Sequence, residues 1–219
     1  MLYSQSYLGF MPLSQLRIFD LFYRAYHAWP RIYNSLTQLF SFGQWEKWQN
    51  RVFEELAGKK ILEVGVGPGK MLLKMAKKGY RVTGIELRKG MAYEARRKVN
   101  EAGYDIDILH QSVYKLPFKI ETFDCIVLTF VLAEIHNLDA AIAEMKRVLK
   151  IGGKVIVIAG GMPQDNNWVA KILFKLVGSQ TTLRLERDNK AHFEKHGFLV
   201  SREDFGPFNV VNKIVAVKQ

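Results

Sequence analysis

From residue 60 onward, short β-branched apolar runs alternate with amphipathic stretches, and this rhythm limits the folds open to the chain. KILEVG, RVTGIEL, DIDILHQ, FDCIVLTF and GKVIVIA read as strands. Between them, KMLLKMAKKG, KGMAYEARRKVNEAG and LDAAIAEMKRVLKIGG carry apolar residues at helical spacing. Such alternation requires right-handed crossovers and a mostly parallel sheet covered on both faces. Strands buried on both sides are nearly continuous in apolarity, as these are. Further helical stretches are expected near Trp168 to Val177 and near Asn189 to His196. FLVSREDF and NVVNKIVAV, joined through GPF, then read as an antiparallel hairpin at a sheet edge. The expected fold is α/β: a doubly wound, mostly parallel seven-stranded sheet with an antiparallel C-terminal hairpin.

The first part of the chain has a different character. Almost half of the Phe, Trp and Tyr residues lie in the first fifty positions. LSQLRIFDLFYRAYHAW spaces its apolar side chains as an amphipathic helix with a broad aromatic face, ended or bent at Pro30. A second helix is expected from about Trp45 to Leu56, with Gly58 as its C-terminal cap. Residues 1–58 are therefore read as a helical cap or lid, and 59–219 as the main domain.

Bulk properties narrow the function. A lone cysteine, Cys125, permits no internal disulfide, so a cytoplasmic location is expected. No apolar run reaches the ~20 residues of a membrane-spanning helix, and the N-terminus lacks a signal-peptide pattern. The formal charge of +11 suits nucleic acid, an anionic bilayer or an acidic substrate. Its basic residues are spread along predicted helix faces without a nucleic-acid motif, so nucleic acid is the less favoured partner.

The stretch ILEVGVGPGK places Gly65, Gly67 and Gly69 at alternate positions between a strand and a helix. Bare backbone there allows positive φ and close approach of a ligand, beside the positive end of the helix. A dinucleotide fingerprint would want its third glycine at position 70, where Lys70 stands. Glu63 at the strand end would repel a pyrophosphate but would accept from a positively charged amino group. Glu86 ends the next strand beside the loop, where an acid can accept both hydroxyls of a ribose.

These residues resemble the class I S-adenosylmethionine-dependent methyltransferases. ILEVGVGPGK is similar to the family's first motif, GIEL to the segment with the ribose-binding acid, and HQSVYKLPF to the part that meets adenine. FDCIVLTFVLAEIHNLDAAIAEMKRVLKIGGKVIVI resembles the remainder, including a phrase that usually reads R-V-L-K-P-G-G. The resemblance implies a Rossmann-like methyltransferase fold, S-adenosyl-L-methionine as cofactor and S-adenosyl-L-homocysteine as product. It places Glu63, Gly65, Gly67 and Gly69 near the methionine part and Glu86 on the ribose. Leu87 and Met91 would flank the adenine, Ser112 and Val113 would meet its edge, and Thr129 and Phe130 would close the site. Ser112 stands where the family commonly has an Asp, so adenine recognition is expected to lean on backbone groups and packing.

The acceptor must be read from what covers the crevice. YNSLTQLFSFGQWEKW resembles the stretch ahead of the first motif in methyltransferases of ubiquinone and menaquinone biosynthesis. That implies a small, lipophilic acceptor, with Tyr26, His27 and Tyr33 as candidate contacts; basic charge would also suit peripheral contact with an anionic membrane. His136 in LAEIHN is the candidate proton acceptor. His192 and His196 share a helix face without a third ligand, so no metal is expected. The competing readings are an RNA or protein methyltransferase and a non-catalytic cofactor-binding protein. The N-P-P-Y-type tetrapeptide of amino-group methylation is absent after the fourth strand, where TFVLAEIH stands.

Overall fold

The computed structural model describes residues 41–165, 167–169, 171, 172, 175 and 184–219. The aromatic helix expected from residue 13, and with it Tyr26, His27 and Tyr33, lies outside the described residues, as does much of the stretch expected to be helical near Trp168.

Seven strands form one sheet: β1 (Lys60–Val64), β2 (Arg81–Glu86), β3 (Ile108–His110), β4 (Phe123–Thr129), β5 (Leu149–Gly160), β6 (Phe198–Phe205) and β7 (Val211–Lys218). Their order is β3-β2-β1-β4-β5-β7-β6. The first five are parallel; β7 runs antiparallel to both β5 and β6. Helices α1 (Trp45–Asn50), α2 (Lys70–Lys77), α3 (Lys89–Glu101), α4 (Leu138–Val148) and α5 (Asn189–Lys195) accompany them, and the described residues Trp168, Val169, Lys171, Ile172 and Lys175 are helical as well.

Side-chain alternation divides the core between the two sheet faces. On one face Leu62, Val64, Ile126, Leu128, Val155 and Val157 pack with Ile142 and Met145 of α4 and Phe193 of α5. On the other, Ile61, Val127, Ile156 and Ile158 pack with Met71, Leu72 and Met75 of α2 and Ala92, Ala95 and Val99 of α3. Each such fully buried large aliphatic side chain contributes about 1.5–3 kcal/mol.

Two element boundaries depart from the sequence reading. The stretch Trp45–Leu56 is a short α-helix followed by a 3₁₀ turn, Arg51–Glu54, and Gly58 lies beyond both. Gly58 has φ +72°, and a Cβ there would lie 2.4 Å from that of Asp124. Asp124 accepts from the backbone N–H groups of Lys59 and Lys60, at 2.9 and 2.8 Å, so this glycine shapes the entry to β1 rather than capping a helix. LKIGG, expected to end α4, instead begins β5, because Leu149 pairs with Phe123. Trp48 and Val52 are buried in the same cluster as Ile61 and Val127.

Candidate functional site

The carboxyl ends of β1, β2 and β4 meet at one edge of the sheet and enclose a cleft of about 230 Å³. Open parallel sheets present ligand sites at such an edge.

The glycine loop forms its floor. Gly65 has φ +73°, and a Cβ on it would lie 2.5 Å from Cγ2 of Val131, so both conformation and space exclude a side chain. Gly67 has φ +52° with nothing within 4 Å of where its Cβ would be: here the loop faces open cleft. Gly69 packs against Ala95 at the start of α2 and does not line the cleft. Gly65 and Val66 donate to the carbonyl of Ile85, at 2.8 and 3.2 Å, and Gly69 donates to the carbonyl of Val66.

Glu86 stands at the rim and organises two segments at once. Its carboxylate accepts from the N–H of Gly67 at 2.9 Å and from that of Arg88 at 2.8 Å. It is mostly buried yet lines the cleft. Arg88 in turn bonds Glu134 at 2.8 Å, joining the end of β2 to the turn after β4. Burial pushes the Glu134 carboxyl upward while Arg88 works against that rise.

Glu63 lies within β1, two residues before Gly65. It is 1% exposed, does not line the cleft, and its Oε2 has no hydrogen-bond partner. Burial, and then the charge of Glu86, push its carboxyl well above the ordinary range.

The remaining wall comes from the ends of β3 and β4. Leu87, Met91, Ser112, Val113, Thr129, Phe130 and His136 all line it, alongside Glu86, Gly65 and Gly67. The Ser112 hydroxyl accepts weakly from the N–H of Tyr114 at 3.3 Å. Phe130 holds a left-handed φ of +56° and stacks on Trp45 of α1, with ring centroids 3.8 Å apart. Such strained non-glycine backbone clusters at ligand sites. Arg88, Gln111, Tyr114, Val131, Glu134 and Ile135 also line the cleft. None of these was a candidate from the sequence, although Glu134 precedes His136 by two residues in LAEIHN, Arg88 follows Glu86 by two, and Gln111 and Tyr114 lie inside HQSVYKLPF. Away from the cleft, His192 and His196 both approach Asp139, at 2.8 and 3.2 Å, joining α5 to α4. Among the described residues no group of three or more His, Cys, Asp or Glu could hold a metal ion.

A sheet of this order, with an antiparallel terminal hairpin and a ligand cleft over a glycine loop, defines the class I methyltransferase fold. Residues 62–157 match the family model described as a methyltransferase domain.

The relatives refine this. The chain is 29% identical over 139 residues to a demethylmenaquinone methyltransferase of Bacillus velezensis, an alignment covering 60% of each protein. It is 27% identical over 169 residues to a ubiquinone/menaquinone biosynthesis C-methyltransferase of Shewanella pealeana, covering 74% of this chain and 67% of that one. The chain thus spans about 60% of the length of the first curated relatives it matches. In fold it is similar to geranyl diphosphate C-methyltransferase of Streptomyces coelicolor, solved with S-adenosyl-L-homocysteine: TM-score 0.68, 13% identity, covering 80% of this chain and 79% of that one. A possible histamine N-methyltransferase of Thermotoga maritima gives TM-score 0.66 at 20% identity, covering 89% of this chain and all of that one.

Proposed function

We propose that this chain is an S-adenosylmethionine-dependent methyltransferase whose acceptor is a small lipophilic molecule of the quinone-precursor kind. The observation that carries the reading is the cleft itself, with open space above Gly67 beside a carboxylate at the end of β2. A ligand with a ribose, an adenine and a cationic amino-acid tail fits these features in chemical type. Glu86 would accept from ribose hydroxyls, Leu87 and Met91 would pack on the adenine faces, and Ser112 and Val113 would meet its edge. The buried, unpartnered oxygen of Glu63 would answer the cationic tail from beneath. When bound, the cofactor supplies a methyl group on a positively charged sulfur, open to in-line attack.

The chain's own contribution is to bind, orient and exclude water. Thr129 and Phe130 would border the reacting end, and the Trp45–Phe130 stack would keep solvent from that side. His136 and Glu134 are the cleft-wall groups able to take a proton from a phenolic or enolic acceptor. Tyr26, His27 and Tyr33, in the aromatic N-terminal segment, are proposed to meet the acceptor. The charge of +11 would favour acceptors reached at an anionic bilayer. Titration calorimetry with S-adenosylmethionine, followed by a methylation assay on demethylmenaquinone and on total lipid extract, tests the reading. Absence of binding heat, or methyl incorporation into RNA alone, would overturn it.

A further inference from the structure

Alternation along β1 puts Glu63 on the face of Ile61, away from Leu62 and Val64, and so beneath α1 and α2. The charged groups on the elements packed there are otherwise engaged. Glu46 of α1 meets Lys70 and Lys74 of α2, while Lys47 and Lys77 are exposed. On α3, Glu94 pairs with Arg97 and Lys98, and Arg96 donates to the Ile108 carbonyl. From β4 the neighbours on this face are Val127 and Thr129, and the Thr129 hydroxyl already accepts from Gln49 at 3.1 Å. The charge that acts on Glu63 is another acid, Glu86.

An ionised carboxylate there would be buried, without a donor, and next to a like charge. Each of these disfavours the charged form and shifts the ligand-free protein toward Glu63 as the neutral acid. The balance changes when a cation enters. Gly65, two residues along, lies on the cleft floor, and Thr129 on the same sheet face lines its wall.

We propose that Glu63 couples cofactor binding to proton release: seating a cationic ligand over the glycine loop breaks its O–H bond. The electron pair stays on the carboxylate and the proton passes to the buffer. The inference rests on the cofactor reading above, and it adds a linkage that reading does not require. S-Adenosylmethionine, with both an ammonium and a sulfonium, should displace the proton more completely than S-adenosylhomocysteine, which keeps only the ammonium.

Titration calorimetry at pH 6 in buffers of low and high ionisation enthalpy tests this on the full chain. At that pH a free amino group is already charged and takes up no proton. The expected result is net proton release on binding S-adenosylmethionine, less for S-adenosylhomocysteine, and none through this route in Glu63→Gln. Affinity of the wild type should rise with pH, by up to about tenfold per unit, until the free-protein pKa is passed, and the variant should lose that slope. Binding with heats independent of buffer, or the same proton release in Glu63→Gln, would overturn the inference while leaving the methyltransferase reading intact. Absence of any binding overturns both. The neutral amide matches the neutral acid in shape, and the wild-type buffer series decides the question even where the variant is poorly produced.

Discussion

Gln49 and Thr129 share a buried hydrogen bond, Nε2 donating to Oγ1 at 3.1 Å, across 80 positions of sequence. It fastens α1 to the end of β4, beside the stack of Trp45 on Phe130. This one polar contact therefore bears on both the stability of the N-terminal attachment and the shape of the cleft wall. Gln49→Leu would leave the Thr129 hydroxyl without its donor, at a cost of about 1–3 kcal/mol. The expected outcome is a lower urea midpoint with unchanged m-value. An unaltered midpoint would mean that water replaces the amide.

Gly65 and Gly67 should separate stability from binding. Alanine at Gly65 meets Val131 at 2.5 Å as well as a positive φ, so it should destabilise the fold by more than about 2 kcal/mol. Alanine at Gly67 has space around it and bears only the conformational strain, about 1 kcal/mol. Its methyl would occupy ligand space instead. The prediction is that Gly67→Ala lowers cofactor affinity at least tenfold with a small change in Tm, measured by calorimetry and thermal melts. The opposite ranking would remove the loop from the binding site.

Arg187 is a positioning residue for the turn after β4. Its guanidinium donates to the carbonyls of Leu132 at 2.6 Å and Ile135 at 2.7 Å, bracketing Glu134 and adjoining His136. Lysine keeps the charge but cannot reproduce the planar fork. Arg187→Lys should lower kcat several-fold while cofactor affinity stays within about twofold. Equal losses in both would make its role one of general stability.

Much of this was legible in the sequence because the governing signals are local. Apolar strands such as FDCIVLTF and IVIA, buried on both sides, and the spacing of acid and glycine at 63–69 needed no distant partner to be read. The helix-to-strand junction at Leu149 was not legible, since the stop signal in RVLKIGG is its glycines at 152 and 153, whereas the helix ends earlier, where Leu149 pairs with Phe123. Arg187, Val131 and Gly84 escaped notice for a related reason. Gly84 is required because a Cβ there would meet Val66 at 2.6 Å, a contact between separate segments. Glu63 shows a different limit: an acid at a strand end reads alike whether it faces the cleft or lies beneath it.

Asp124 gives an acid-side prediction. Burial works against its charge, but Lys150 and the backbone N–H groups of Lys60 and Lys59 hold it at about 2. A depressed folded-state pKa contributes stability that is present above the unfolded value of 3.8 and lost as pH falls toward 2. The contribution is at most about 2 kcal/mol, since the side chain is 22% exposed. Asp124→Asn should lower Tm at pH 7 and flatten the fall of Tm between about pH 4 and 2. A parallel fall in both proteins would assign the acid limb to other carboxylates.

Glu63 works in the opposite sense on stability. Its folded-state pKa lies well above 4.5, because burial and Glu86 disfavour the charged form. The neutral acid therefore stabilises the ligand-free fold fully only below the unfolded value. As pH rises past that value the unfolded chain ionises while the folded one does not, and stability declines until the folded pKa is reached. Glutamine has no proton to lose, so the ligand-free Glu63→Gln variant should melt higher than wild type from about pH 6 upward and converge with it near pH 4. Saturating cofactor should reverse the order at neutral pH, since the charged acid then has a cationic partner that the amide answers less well. A variant that melts lower at every pH without ligand would mean that Glu63 is ionised and paired in the folded protein, and the buried acid would have to be reassigned.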